Sequence, residues 1–428
     1  MSRILHQTLG YYTPAFFHIN IGTNDSFSRF SDMDFSIYLH EYIHFIQDTT
    51  TIYGLNNMYV YSEYIRFATE SAYKSKNKRF NVPVLPTEDN KYNVYLNMKI
   101  NNLTNGDSSE IKTIKDILSI NIIDEPTGVL GSLVDNIESV VVQCIDDKGN
   151  DFILSFGALS IMENMAYLME QMTCSDYAHS PDYPYSFVEK IAKKIYPQFG
   201  ENRLNILALC DLSLQYSNPG KVLVQYLQEM LSNKWLPTSP KELYDEIYSR
   251  KNSINNKGEI SLEQNFNELA DVVKRQTQGY FNDPQIFTNI RNWIEHLLTT
   301  AKKLRFQNRY FILEVAKGGN LKTNKAFKQL LGEIGTPLIS NNSGECTLLY
   351  PNKPKGVELG YFSAIGQIIS IFEKGNCDCS LHPICIKCGN EVDNRCQSAP
   401  WERSNDIKLC PVALLWKHWK LKDYTPIT

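Results

Sequence analysis

Leu39-His40-Glu41-Tyr42-Ile43-His44-Phe45-Ile46-Gln47-Asp48 contains the pattern His-Glu-x-x-His. On an α-helix, residues four apart share a face, one turn above the other. His40 and His44 are therefore spaced to hold one Zn²⁺, with Glu41 beside them as a base. With 8 histidines in 428 residues, chance supplies roughly 0.01 copies of this pattern.

A helical projection sharpens the expectation. Taking His40 as zero and stepping about 100° per residue, His44, Asp48, Glu41 and Gln47 fall near 40°, 80°, 100° and 340°. Leu39, Tyr42, Ile43, Phe45 and Ile46 fill the arc from about 140° to about 300°. The helix is apolar over most of its circumference and carries one polar stripe. Unpartnered polar groups cost kilocalories when buried, so the stripe faces either water or a metal. The sparing of two histidines and an acid within so apolar a helix favours the metal.

Composition sets the frame. The chain has 428 residues and a mass of 49.2 kDa, enough for two or three domains. Hydrophobic residues make up 43%, charged residues 21%, and the net charge is −4. No basic excess marks a nucleic-acid footprint. Met1-Ser-Arg-Ile-Leu-His-Gln7 has no signal-peptide pattern, and no run of 18 apolar residues occurs. A cytoplasmic protein without membrane attachment is expected, its clustered cysteines serving metal before disulfide.

Along the chain, residues 1–30 read as short strands or irregular structure. Asp32 or Asp34 is placed to cap the His-bearing helix. A second helix is expected over Asn56–Tyr73 and a strand over Tyr92–Ile100, where Tyr92, Val94, Leu96, Met98 and Ile100 alternate. Ile120–Ile123, Ser139–Cys144 and Phe152–Ser155 are further strand candidates, the last two joined by a turn over Asp146–Asp151. An apolar helix over Gly157–Met172 follows, with Glu163 in its middle flanked by the small Ser160 and Ala166. Such a carboxylate needs a charged partner. Helices are expected over Arg203–Tyr216, Lys221–Ser232, Leu262–Tyr280, Pro284–Val315 and Gly360–Glu373, with Pro240 opening another behind a Ser239 cap.

His40-Glu41-Tyr42-Ile43-His44, followed by the helical Glu163, resembles the zinc metallopeptidases called gluzincins, over about residues 30–220. The metzincin pattern fails, because Gln47 stands where glycine should be and Thr50 where a third histidine should be. The resemblance implies that His40, His44 and Glu163 bind catalytic zinc and that Glu41 is the general base. Glu170, two turns beyond Glu163, is a candidate partner of a ligand, as are Asp211 and Asp48. His179, Tyr183 and Tyr185, in the loop after the Glu163 helix, are candidate donors to an oxyanion or substrate.

A second constellation lies in Cys377-x-Cys379-x5-Cys385-x2-Cys388, followed by Cys396 and Cys410-Pro411. Paired thiolates at short spacing suit structural Zn²⁺, and Cys377, Cys379, Cys385 and Cys388 form the most compact set. Cys396 and Cys410 are able to replace one pair, and an iron–sulfur cluster is the competing occupant.

The expected fold is α+β and predominantly helical. Residues 1–235 form a zincin-like metallopeptidase core with an inserted β region, 236–345 a helical extension and 346–428 a Cys-rich zinc-binding segment. The expected function is hydrolysis of peptide bonds in a protein or peptide substrate, within a narrow target range. The competing class is a non-enzymatic interaction protein with structural metal sites that binds a protein or nucleic-acid partner through its Cys-rich end.

Overall fold

A computed structural model describes residues 9–87, 94–107, 112–128, 134–250, 252–253, 259–349, 360–375 and 377–427. The protein is α+β and predominantly helical. Two strands open it, β1 (Gly10–Thr13) and β2 (His18–Ile21), paired antiparallel. β2 also pairs parallel with the distant strand Leu338–Asn341, so among the described residues β1 is the outermost strand on its side of this sheet.

The His-bearing helix, α1, spans Asp32–Thr50. Its cap is Ser31, one residue before the expected acids. The Ser31 hydroxyl accepts from Asp34 N, and Asp34 Oδ2 accepts from Ser31 N at 2.9 Å, a reciprocal capping box. Asp34 thus serves the cap from the third helical position. At the far end, Thr49, Thr50 and Thr51 donate their hydroxyls back to carbonyls one turn earlier. Thr51 is extended and caps α2 (Ile52–Tyr73) through Gly54 N. A Cβ on Gly54 would lie 2.4 Å from the Asp48 backbone, so this tight corner requires glycine.

The carbonyl at the end of α1 meets a fully buried cation. Arg305 Nε donates to Thr50 O and Nη2 to Thr50 Oγ1, each at 2.8 Å, while Nη1 reaches Asp211 Oδ2 at 2.7 Å. Tyr244 donates to the same Asp211 oxygen at 2.7 Å. A guanidinium suits this place because it satisfies several acceptors at once in a fixed plane.

The segment expected as a strand over 92–100 is helical from Val94 to Asn105, here α3, and residues 88–93 lie outside the described ones. Val94, Met98, Asn101 and Thr104 also recur at helical spacing, and packing of that face against α2 decides the matter, with Asn101 donating to Asn57 at 3.1 Å. After β3 (Arg79–Asn81), the expected β region is present as an antiparallel meander of β4 (Asp116–Pro126), β5 (Asn136–Ile145) and β6 (Asp151–Phe156). It leads into α4 (Ala158–Thr173), which packs against α1. The helix expected over Pro284–Val315 is two, Pro284–Gln307 and Phe311–Lys317.

Apolar packing and strand pairing run across the three stretches expected as domains. One continuous apolar core contains residues from all of them. Trp293 shows why: its ring lies 5.6 Å from Phe17 and 5.4 Å from Phe362. Strand pairing of residues 18–21 with 338–341 ties the first and second stretches directly. Among the described residues, no helix is long and apolar enough to cross a membrane.

Candidate metal centre

The α1 stripe faces α4, as the apolar arc around it requires. Gln47 Nε2 donates to Met162 O at 3.0 Å and so ties the two helices one residue before Glu163. Ser160 and Ala166 are buried on either side of Glu163, and their small size leaves room for the approach.

Glu163 reaches both imidazoles. Its Oε2 lies 2.9 Å from His40 Nε2, and its Oε1 lies 3.6 Å from His44 Nε2. One potential ligand atom from each of the three buried residues lies within 4.8 Å of the other two. The histidine rings stand edge to face, with centroids 4.9 Å apart.

The other ring nitrogens determine what these atoms are able to bind. His40 Nδ1 lies 3.1 Å from Glu170 Oε1, and His44 Nδ1 lies 2.7 Å from Gln47 Oε1. Gln47 spends its amide nitrogen on Met162 O, so its oxygen faces His44. Both Nδ1 atoms therefore carry a proton, which leaves both Nε2 atoms of neutral imidazoles with lone pairs. Those lone pairs face a carboxylate, and a cation between them resolves the conflict. Protons on both rings would do so at the cost of like charges side by side. One divalent ion would take all three ligands at once, with the outer Glu170 and Gln47 placed to orient the rings for it. The residues present fit a metal.

By themselves the acids favour protonated rings: burial lowers His40, but Glu170 and Glu163 raise it well above the ordinary imidazole value, and Glu163 likewise raises His44 against burial; a dication would take the place of those protons. Glu163 is held far below the ordinary carboxylate range: burial pushes it up, but His44 and His40 prevail. Burial pushes Glu41 up to about 7, against the pull of His40 and His44. A dication beside Glu41 would lower it again.

Glu41 opens onto a cleft of about 220 Å³ whose lining includes Gly10, Ile37, His40, Glu170, His179 and Tyr185. The Tyr185 ring centroid is 5.9 Å from that of His40. Two of the three loop candidates, His179 and Tyr185, thus stand at the site. The third, Tyr183, is fully buried, and its hydroxyl donates to Asp107 O instead.

The candidate ligand partners separate in the same way. Glu170 stands against His40, as its place on α4 suggested. Asp48 turns to the N-terminal hairpin, where its Oδ2 accepts from Ala15 N at 2.7 Å and Tyr12 OH at 3.0 Å. Asp211 belongs to the Arg305 pair. Gln47 was visible only as part of the stripe, and its position three residues after His44 is the signal that marks it as that ring's partner.

The compact cysteine set is not brought together. Cys377 Sγ lies 3.3 Å from Gly375 O, and Cys388 is exposed beside Cys346. All ten cysteines are free thiols.

No protein-family model matches the chain, and neither a curated protein nor a solved structure shows significant similarity to it.

Proposed function

We propose that this protein is a zinc-dependent peptidase of the gluzincin kind, with His40, His44 and Glu163 as the ligands and Glu41 as the general base. The observation that carries the proposal is the convergence of both Nε2 atoms on Glu163, with Glu170 and Gln47 against the Nδ1 atoms, beside a carboxylate that opens onto a cleft. A site serving only structure has no use for Glu41 in that place.

When bound, zinc supplies Lewis acidity, which polarises a carbonyl and acidifies a water. Glu41 takes the proton released by that water on a carboxylate oxygen, then delivers it to the departing amine. His179 and Tyr185, at the cleft wall, provide hydrogen-bond donors for the oxygen that gains charge. Glu170 and Gln47 hold the histidine tautomers throughout. A peptide substrate fits because Gly10, which lines the cleft, begins the strand that is outermost in its sheet among the described residues, and an extended chain pairs with such an edge.

The test compares wild type, Glu41→Gln and His40→Ala by mapping new peptide termini in a cell extract. Glu41→Gln is expected to keep the metal and lose cleavage. His40→Ala is expected to lose both. Cleavage by Glu41→Gln at the wild-type rate would refute the mechanism.

A further inference from the structure

The cysteines regroup in space in a way their spacing conceals. The chain from Cys377 to Cys410 runs through short turns: His382–Lys387, Arg395–Ser398 and the 3-10 helix Pro400–Asn405. The first of these has no buried residue. Apolar packing therefore does little to order it, and small segments of this kind normally need a staple.

Four cysteines share one neighbourhood there. Cys379 N donates to Cys396 O at 2.9 Å, which joins the start of the segment to its middle. Cys385 and Cys410 line one cavity of about 330 Å³, together with Arg403 and Lys408. Cys396 Sγ accepts from Arg403 Nη1 at 3.3 Å, so the same guanidinium joins the third sulfur to that cavity. Arg403 is fixed by Glu391 O at 2.9 Å and Asp406 Oδ2 at 3.2 Å. The fourth sulfur is Cys379. Its thiol is pushed up to about 12, chiefly by burial and then, against a backbone N–H, by the sulfurs of Cys410, Cys385 and Cys396. Cys385 is raised by burial, then by Cys410 and Cys396, and also by Cys388, which is itself engaged with Cys346.

We infer that Cys379, Cys385, Cys396 and Cys410 hold a second metal centre through four thiolates, to the exclusion of Cys377 and Cys388. The ligand is a thiophilic metal, either one zinc ion or an iron–sulfur cluster, both of which take four cysteines. Either leaves a doubly negative centre, which Arg403 and Lys408 offset from the cavity wall. Cys410 precedes Pro411 at the start of the helix Pro411–His418, so its backbone is held by that helix. Among the described residues no three sulfurs lie within 4.8 Å of one another. A zinc ion, with sulfurs roughly 3.8 Å apart around it, therefore requires them to close inward, whereas a cluster fills the space between them. The inference stands apart from the peptidase proposal, since it shares no residue with it.

The test uses the full chain, purified without oxygen and not mutated. Thiols are alkylated before and after metal removal, and the labelled peptides are identified by mass spectrometry. Cys379, Cys385, Cys396 and Cys410 are expected to gain label together on metal removal, while Cys377 and Cys388 label equally in both states. Iron with acid-labile sulfide identifies a cluster, and zinc without sulfide identifies a single ion. As a second measurement, Cys385→Ser should remove this metal and leave that of the His site, whereas Cys377→Ser should remove neither. Labelling of the four that ignores metal removal would overturn the inference. So would protection of Cys377 and Cys388, or disulfides among the four.

Discussion

Glu170 makes no contact with the expected ion, yet its loss should weaken metal binding more than any other change outside the ligands. It lies 3.1 Å from His40 Nδ1 and is buried, so the bond from imidazole to carboxylate is charge-assisted and poorly screened. Hydrogen bonds to charged groups contribute about 1.5–3 kcal/mol. Losses of that size correspond to about 10–100-fold in metal affinity, the range found for partners of metal-bound histidines. Gln47 does the same service for His44 through a neutral bond, for which about 1 kcal/mol and about fivefold is the expectation. The predicted order is therefore Glu170→Ala worst, with Glu170→Gln and Gln47→Leu milder, because Gln keeps the acceptor but loses the charge. Equilibrium dialysis against graded zinc buffers, with metal counted per chain, measures it, and the component missing from His40→Ala defines the site. If Glu170→Ala bound zinc as tightly as wild type, His40 would not be oriented as described. The ion-pair network would then be merely structural.

Three further outcomes are expected. Asp211→Ala leaves the fully buried Arg305 without its counter-charge, which should cost about 3–5 kcal/mol; urea unfolding midpoints report this, and the double change Asp211→Leu with Arg305→Met should recover much of it. His18 is buried against Ser340, and burial lowers its pKa to about 4. Between pH 6.5 and pH 4 the unfolded chain binds a proton that the folded chain refuses, so stability should fall with pH across that window by about 3 kcal/mol at most. His18→Gln should lack this component when its unfolding is compared with wild type at each pH. Tyr185→Phe should slow cleavage without changing metal content, whereas Tyr183→Phe, at a residue committed to Asp107, should act on stability alone.

The sequence exposed α1 most clearly because two independent patterns coincide there. The apolar arc predicts a buried helix, and the polar stripe predicts that something must meet it. Glu163 was legible for the same reason, as a lone acid in an apolar helix. Local pattern was less decisive elsewhere. Val94, Leu96, Met98 and Ile100 alternate over too few residues to exclude the helix that packing against α2 selects. Asp211 was visible as an odd acid, but its partner Arg305 is distant in sequence and only the fold joins them. The cysteines mislead in the opposite sense. Cys377 and Cys379 are close in the chain, yet Cys377 turns to Gly375 O while Cys379 meets Cys396. The pairing of β2 with Leu338–Asn341 is a contact no local composition marks.

Charge balance at the His site explains why the stripe is tolerated in so apolar a place. Glu41, Glu163 and Glu170 are all buried, and two neutral histidines do nothing to offset them. An uncompensated cluster of this kind is among the most expensive arrangements a core is able to hold. Protonating both histidines supplies the missing charge, but it sets two cations 4.9 Å apart, ring to ring. A dication supplies the same charge at one point, shared by three bonds. Meanwhile α1 is pinned at both ends by features that owe nothing to the metal, the Ser31–Asp34 box and the Arg305 guanidinium on Thr50. On the peptidase proposal, the fold would thus hold the three side chains in place before any ion arrives. Binding energy is then spent on the ion rather than on ordering the helix, which is the condition for a tight and reactive centre.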